Sequence, residues 1–167
     1  MPVIKDGKLL ENDPWRTLEE GEPIPGDAPV VLSYEDFRGA NGGLSGHNGK
    51  LGIQLRSDQP PDLIAGEVAR FDLIALEFPK LADGRSFSHA RMLRQRHGFT
   101  GELRAVGEVF RDQIFFMLRC GFDSFVIPED RDPAGAIAAL EDFTLAYQAA
   151  ADGMAPAYRL RAKKNGA

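Results

Sequence analysis

The sequence predicts an α/β fold: an open, mostly parallel, flavodoxin-like sheet of about five strands with helices on both faces, preceded by a β-hairpin. Three observations predict it. Short β-branched apolar runs alternate with longer stretches of helical period. The run over 71–78 is nearly apolar through its centre, as a strand buried on both faces should be. Gly and Pro stand at the junctions. Half of a (β/α)-barrel, closed by a partner, is the alternative. Either arrangement would bind ligands at the C-terminal ends of its strands.

Residues 3–10 read as a hairpin. Asp6-Gly7 lies between two short apolar stretches, and a type I′ turn needs positive φ at both central positions. A lone hairpin is not stable, so it must pack on the body or on a partner. Trp15, the only Trp, is placed to anchor this arm, residues 1–15. Residues 16–29 are acidic and Pro/Gly-rich and read as a linker, 30–151 as one α/β domain, and 152–167 as a loose tail.

The strands are expected over 30–34, 51–55, 71–78, 103–106 and 124–127. The helices are expected over 60–70, opened by Pro60-Pro61; 86–97, ended by Gly98; 109–120, ended by Gly121; and 134–151, capped by Asp132-Pro133. Five glycines between Arg38 and Lys50 suggest a phosphate loop. The pattern would need Gly at 44 and Ser or Thr at 51, where the chain has Leu44 and Leu51. His47 reads as a solvated loop residue. No Gly-x-Gly-x-x-Gly follows a strand, so no cofactor is indicated by motif.

Composition narrows the function classes. The 167 residues carry a net charge of -5 and include 11 Phe, which a disordered chain would lack. No apolar run reaches the roughly 18 to 20 residues of a membrane span, and the first seven residues lack the apolar core of a signal peptide. A cytoplasmic location is therefore expected, with no membrane partner. The acidic balance also argues against nucleic acid. Cys120 is the only cysteine, which excludes an intrachain disulfide and a cysteine-built metal site, and it reads as a small buried residue. His89 and His97 have no matching ligand set, so no metal is expected.

Charge is uneven along the chain. Between Asp83 and Arg119 seven arginines, and no lysine, face four acids, a net of +3 that leaves -8 elsewhere. Arginine's planar fork suits carboxylates and tetrahedral oxyanions. Asp83, Gly84, Arg85 and Ser86 follow the central strand and open a helix, where free backbone N–H groups favour an anion. Arg91 and Arg94 lie beside that helix's apolar face. Arg104 stands on a strand and needs an acidic partner. Arg111 and Asp112 open the next helix. These nine residues form the candidate site for an oxyanion or a partner. The alternative is a set of internal ion pairs with a solvated helix face.

The same residues carry a resemblance. Phe78-Pro79, Asp83-Gly84-Arg85-Ser86-Phe87-Ser88, Ala90-Arg91 and Leu93-Arg94 begin it. Gly101-Glu102-Leu103-Arg104-Ala105-Val106-Gly107, Arg111-Asp112-Gln113 and Arg119-Cys120-Gly121-Phe122-Asp123 continue it. Together they resemble the bacterial domain of unknown function 934 family. The arm ending in Asp13-Pro14-Trp15 fits as well, so nearly the whole chain is covered. Members usually carry Gly-Tyr where this chain has Ser86-Phe87, so no role of that tyrosine carries over. The family is labelled a predicted oxidoreductase of sulfite reduction, a label that leans on gene neighbourhoods. The resemblance thus implies sulfur assimilation, with sulfite reductase or phosphoadenylylsulfate reductase as partner. Three functions are compatible with it. One is an accessory protein whose arginines meet an oxyanion or partner and whose Trp15 arm helps to dock. Another is an oxidoreductase with a recruited cofactor. The third is a sensor of sulfite, sulfate or a phosphosulfate nucleotide. A homo-oligomer is compatible with each.

Overall fold

The computed structural model describes residues 1–40, 44 and 47–165. Residues 41–43, 45 and 46 of the glycine-rich stretch weighed above as a phosphate loop lie outside them. Among the described residues eight strands form one sheet: β1 (Val3–Lys5), β2 (Lys8–Leu9), β3 (Arg16–Thr17), β4 (Val30–Ser33), β5 (Leu51–Leu55), β6 (Leu73–Phe78), β7 (Glu102–Gly107) and β8 (Ser124–Val126). Their order is β2-β1-β8-β7-β6-β5-β4-β3. The hairpin forms as its turn dictates, with Asp6 at φ 50 and Gly7 at φ 75. It is held on β8, where Val3 pairs Val126 and Ile4 pairs Phe125.

The order of the strands overturns the flavodoxin-like expectation. Strands β4 to β8 are parallel neighbours in chain order. Right-handed crossovers between successive neighbours all return on the same side, so the helices cover one face only. Helices on both faces would need the strand order to reverse. Ile74, Leu76 and Phe78 of β6 pack into one core with residues of α1 (Tyr34–Gly39), α2 (Arg85–Gln95), α3 (Arg111–Cys120) and α4 (Pro133–Ala139). Leu73 and Ala75, pointing the other way, pack with Val31, Val106 and Trp15. The fold is the half-barrel alternative, a curled open sheet.

The curl follows from the chain's reach. Strands β2 and β3 are opposite edges of the sheet, joined by residues 10–15. Eight flat strands would set those edges roughly 34 Å apart, at about 4.8 Å per strand. Seven residue steps span at most about 25 Å. The sheet must therefore curl, with the connecting segment crossing its concave side. Trp15 lies there, half-buried against the sheet.

Two predicted helices differ. Residues 60–70 form two short 3₁₀ turns, Pro61–Ile64 and Val68–Arg70, because Gly66 interrupts a segment already too short to hold a regular helix. Helix α4 stops at Ala139 instead of running to 151. Asp142, Phe143 and Thr144 are weak helix formers. There the chain is fastened sideways instead, Asp142 to Arg111 at 3.1 Å and the Phe143 ring to Phe115 at 5.1 Å. A further helix, α5 (Ala157–Asn165), follows, and Ala157 N donates to Ala146 O at 2.8 Å. Among the described residues no helix is long and apolar enough to cross a membrane.

Candidate functional site

At the C-terminal end of β6 the turn into α2 gathers Asp83, Gly84, Arg85 and Ser86. Arg85 grips Asp83 with two nitrogens, Nε to Oδ1 at 3.0 Å and Nη2 to Oδ2 at 2.7 Å. Ser57, from the end of β5, donates to Asp83 at 2.8 Å and accepts from Arg85 at 2.9 Å. The Arg85 hydrogen bonds, then Ser57, hold the Asp83 carboxyl well below the usual carboxylate range. The buried Ser86 hydroxyl donates to Glu77 O at 2.6 Å and ties the helix start to its strand. Burial and then the charge of Arg85 lower the pKa of His89, which favours a neutral ring. The next turn of chain extends this network. Arg56 pairs with Glu35 at 2.8 Å, and Gln59 donates to the same carboxylate at 2.8 Å. Sequence reasoning passed over Glu35, Arg56, Ser57 and Gln59, because they lie outside the arginine-rich window.

Arg94 and Arg104 are elsewhere. Arg94, at the far end of α2, donates to Gly121 O, Phe99 O, Gly101 O and Asp123 Oδ2 within 2.7–2.9 Å. It knots the starts of β7 and β8 together. Gly121 makes room for it: its φ is +109, and an added Cβ would meet Arg94 Cγ at 2.6 Å. Arg91, on the same helix, is exposed and makes no ion pair among the described residues.

Arg104 points from β7 into the concave side. It holds Asp13 of the arm by two bonds of 2.6 and 3.0 Å, and Glu102 Oε1 by bonds of 2.6 and 2.9 Å. Lys5 of β1 takes the other Glu102 oxygen at 2.7 Å. Burial raises the Glu102 carboxyl, but Lys5 and Arg104 outweigh it and hold the group below its ordinary pKa. The charged strand residue thus has the acidic partners that its position required. One of them, Asp13, comes from far along the chain.

Arg111 and Asp112 lie at the C-terminal ends of β7 and β8, on a cavity of about 540 Å³ between the starts of α3 and α4. Its apolar walls include Val109, Ile114, Ile127 and Ala136. The Arg131 guanidinium lies 3.6 Å from the Phe110 ring centroid, fixed by Val109 O and Glu108, each at 2.6 Å. Arg131 was missed because Glu129-Asp130-Arg131-Asp132 reads as a solvated turn. Among the described residues Arg111 makes one bond, to Asp142 at 3.1 Å.

The nine residues therefore do not converge. Asp83 to Ser86 and the Arg111–Asp112 pair occupy separate stretches of the C-terminal rim. Arg94 and Arg104 brace the opposite end. Cys120 is buried, and burial pushes its thiol up to about 11. His47, expected in solvent, is half-buried, with Nδ1 2.7 Å from Pro25 O.

Residues 52–158 match the family described as bacterial protein of unknown function (DUF934). The match spans β5 to the start of α5, including the whole C-terminal rim from Arg56 onward and the cavity between α3 and α4, while the arm precedes it. No curated protein matches the chain. The chain belongs to the DUF934 family.

Proposed function

We propose that this family member is an accessory protein of assimilatory sulfite reduction, and that it acts by docking on sulfite reductase through an aromatic patch outside the helices. The pathway comes from the resemblance drawn above. The docking mode rests on one observation. Phe116, Phe143, Leu145 and Tyr147 are 53%, 61%, 60% and 79% exposed. Ring contacts join the patch: Phe143 to Phe115 at 5.1 Å, and Phe116 to Phe87 of α2 at 4.9 Å. The bond from Ala157 to Ala146 brings α5, with exposed Tyr158 and Leu160, beside it.

Apolar patches of this kind mark association surfaces. Each such side chain buried on a partner would contribute roughly 1.5–3 kcal/mol. Arg91 stands one helical turn beyond Phe87, so the patch carries a cation at its border and suits a partner with an acidic rim. The arginines support a protein partner over a bare oxyanion. Arg85, Arg94 and Arg104 already hold carboxylates, which an oxyanion would have to displace.

The test uses the tagged full chain as bait in extract from bacteria grown on sulfate. Sulfite reductase subunits should be recovered near stoichiometrically. Phe116→Glu with Phe143→Glu should lose them while melting near the wild-type temperature. Failure to recover sulfite reductase, recovery of phosphoadenylylsulfate reductase in its place, or equal capture by the double variant would each overturn the proposal.

A further inference from the structure

We propose that the concave side of the half-barrel, at the C-terminal ends of β4 to β6, binds a small organic monocation bearing N–H donors, such as an alkylguanidinium or alkylammonium ion. The pocket there has a volume of about 190 Å³, equal to roughly six water molecules. The docking reading does not use it, since the aromatic patch lies on the helices that cover the other face. This end of the strands is where barrels of βα units and open α/β sheets bind their ligands.

The strand pattern brings two polar side chains into this pocket. Leu73 and Ala75 of β6 pack on the concave side with Trp15, and alternation along the strand turns Glu77 the same way. Gln54 of β5 is in register with Ala75 and shares its face. Both line the pocket, and both are half-buried. The other polar walls are already engaged. Arg56 holds Glu35 at 2.8 Å and Asp58 at 3.4 Å. Gln59 donates to Glu35 and accepts from Arg56 N, each at 2.8 Å. The Ser33 hydroxyl donates to Asp36 at 2.7 Å. Among the described residues the Glu77 and Gln54 side chains have no hydrogen bond or ion pair. Glu102, on the neighbouring strand at the opposite end, holds both Lys5 and Arg104. Glu77 is a half-buried strand carboxylate without such a cation, and a cationic guest would offset its desolvation.

Charge balance sets the class of guest. Glu35 and Glu77 stand against one arginine, so the lining carries one negative charge in excess. Arg56 matches Glu35, which leaves the excess on Glu77. A monocation neutralises it, whereas an anion would meet Glu77 unscreened. An N–H of the guest makes a charge-assisted bond to Glu77, and the Gln54 amide oxygen accepts a second. A divalent metal ion takes roughly six or more oxygen ligands, of which the pocket supplies two free side chains. The volume admits a cationic head and a few further heavy atoms.

The probe is methylguanidinium chloride, titrated by calorimetry into the folded full chain against a sodium chloride reference. One saturable site per chain is expected, with a raised Tm at saturation. Glu77→Gln keeps the shape of the side chain and removes its charge. It should weaken binding about tenfold or more, as expected for losing a charge-assisted hydrogen bond. Gln54→Leu should weaken it several-fold, and it carries the test if Glu77→Gln melts early. Tetramethylammonium, which has the charge but no N–H donor, should bind at least about tenfold more weakly. Magnesium chloride should not displace the probe. Phe116→Glu with Phe143→Glu should bind as the wild type does, so failure of the docking reading and failure of this one are read separately. The proposal is overturned if the wild-type chain shows no saturable site, or if the pocket variants bind the probe unchanged. It is overturned equally if tetramethylammonium binds as well as the probe, if magnesium displaces it, or if the patch variant alone loses binding.

Discussion

Near the start of β7, Arg104 is enclosed by Asp13, Glu102 and the concave sheet, with its side chain 6% exposed. Seven residues later, at the start of α3, Arg111 stands in the open with one bond to Asp142. The two ends of one βα unit use the same residue type in opposite ways. At the N-terminal end arginine is cross-linking material: Arg104 ties the arm to the sheet, and Arg94 ties α2 to β7 and β8. At the C-terminal end Arg111 borders a cavity and keeps donors to spare. A half-barrel makes this division physical. Its bottom must hold the strands and the crossing arm in place, while its top is free to vary.

The largest effect should come from breaking the enclosed end. Arg104→Ala strips Asp13 of its bidentate partner and takes the guanidinium from buried Glu102. Removing one member of a buried ion pair costs about 3–5 kcal/mol, because the remaining charge stays buried. Urea unfolding should show that loss. A change under about 1 kcal/mol would mean that the arm is not fastened here, and the contrast between the two ends would collapse. Gly121→Ala should come next, at about 1–3 kcal/mol, since it forces a Cβ into a left-handed backbone and against Arg94. Unfolding free energies check this too. In an Arg94→Ala background, itself destabilised by the lost bonds to Asp123 and three carbonyls, Gly121→Ala should cost less, because only the backbone strain remains.

How much of this was legible follows from the range of each signal. The five parallel strands were, because β-branched apolar runs are local. The hairpin was, because Asp6-Gly7 carries its turn geometry within two residues. The side on which the helices lie was not. It depends on strand order, and the apolar run of β6 looks the same whether helices or an arm cover its second face. Here Trp15 supplies that cover. The pairing of Arg104 with Glu102, two residues away, was open to a sequence reader, but its pairing with Asp13 spans 91 positions. Arg131 was hidden by its acidic neighbours, and its stacking on Phe110 exists only once two loops meet.

A smaller effect separates the ends by pH. Glu102 has a folded pKa below its ordinary 4.5. A carboxyl of lowered pKa adds stability that is fully present above its unfolded value and fades as pH falls through its folded one. Stability measured from pH 7 downward should therefore fall below about pH 4.5. Glu102→Gln should be less stable at neutral pH and should show a flatter acid limb. An unchanged acid limb would assign the loss to other carboxylates and remove Glu102 from the enclosed network.

The smallest expected stability change is the sharpest for the comparison. Arg111→Ala removes an exposed pair, and such pairs contribute about 0–1 kcal/mol. The side chain lines the cavity but does not close it, since Val109, Ile114 and Ile127 form the wall behind it. Urea unfolding should place this variant within about 0.5 kcal/mol of the wild type, close to Arg91→Ala on α2. A loss approaching that of Arg104→Ala would show that Asp142 depends on Arg111 to hold the chain after α4, and that both ends of the unit are braced alike. With a small loss, Arg111 is an arginine that the fold does not need, and the contrast with Arg104 at the other end of the unit stands.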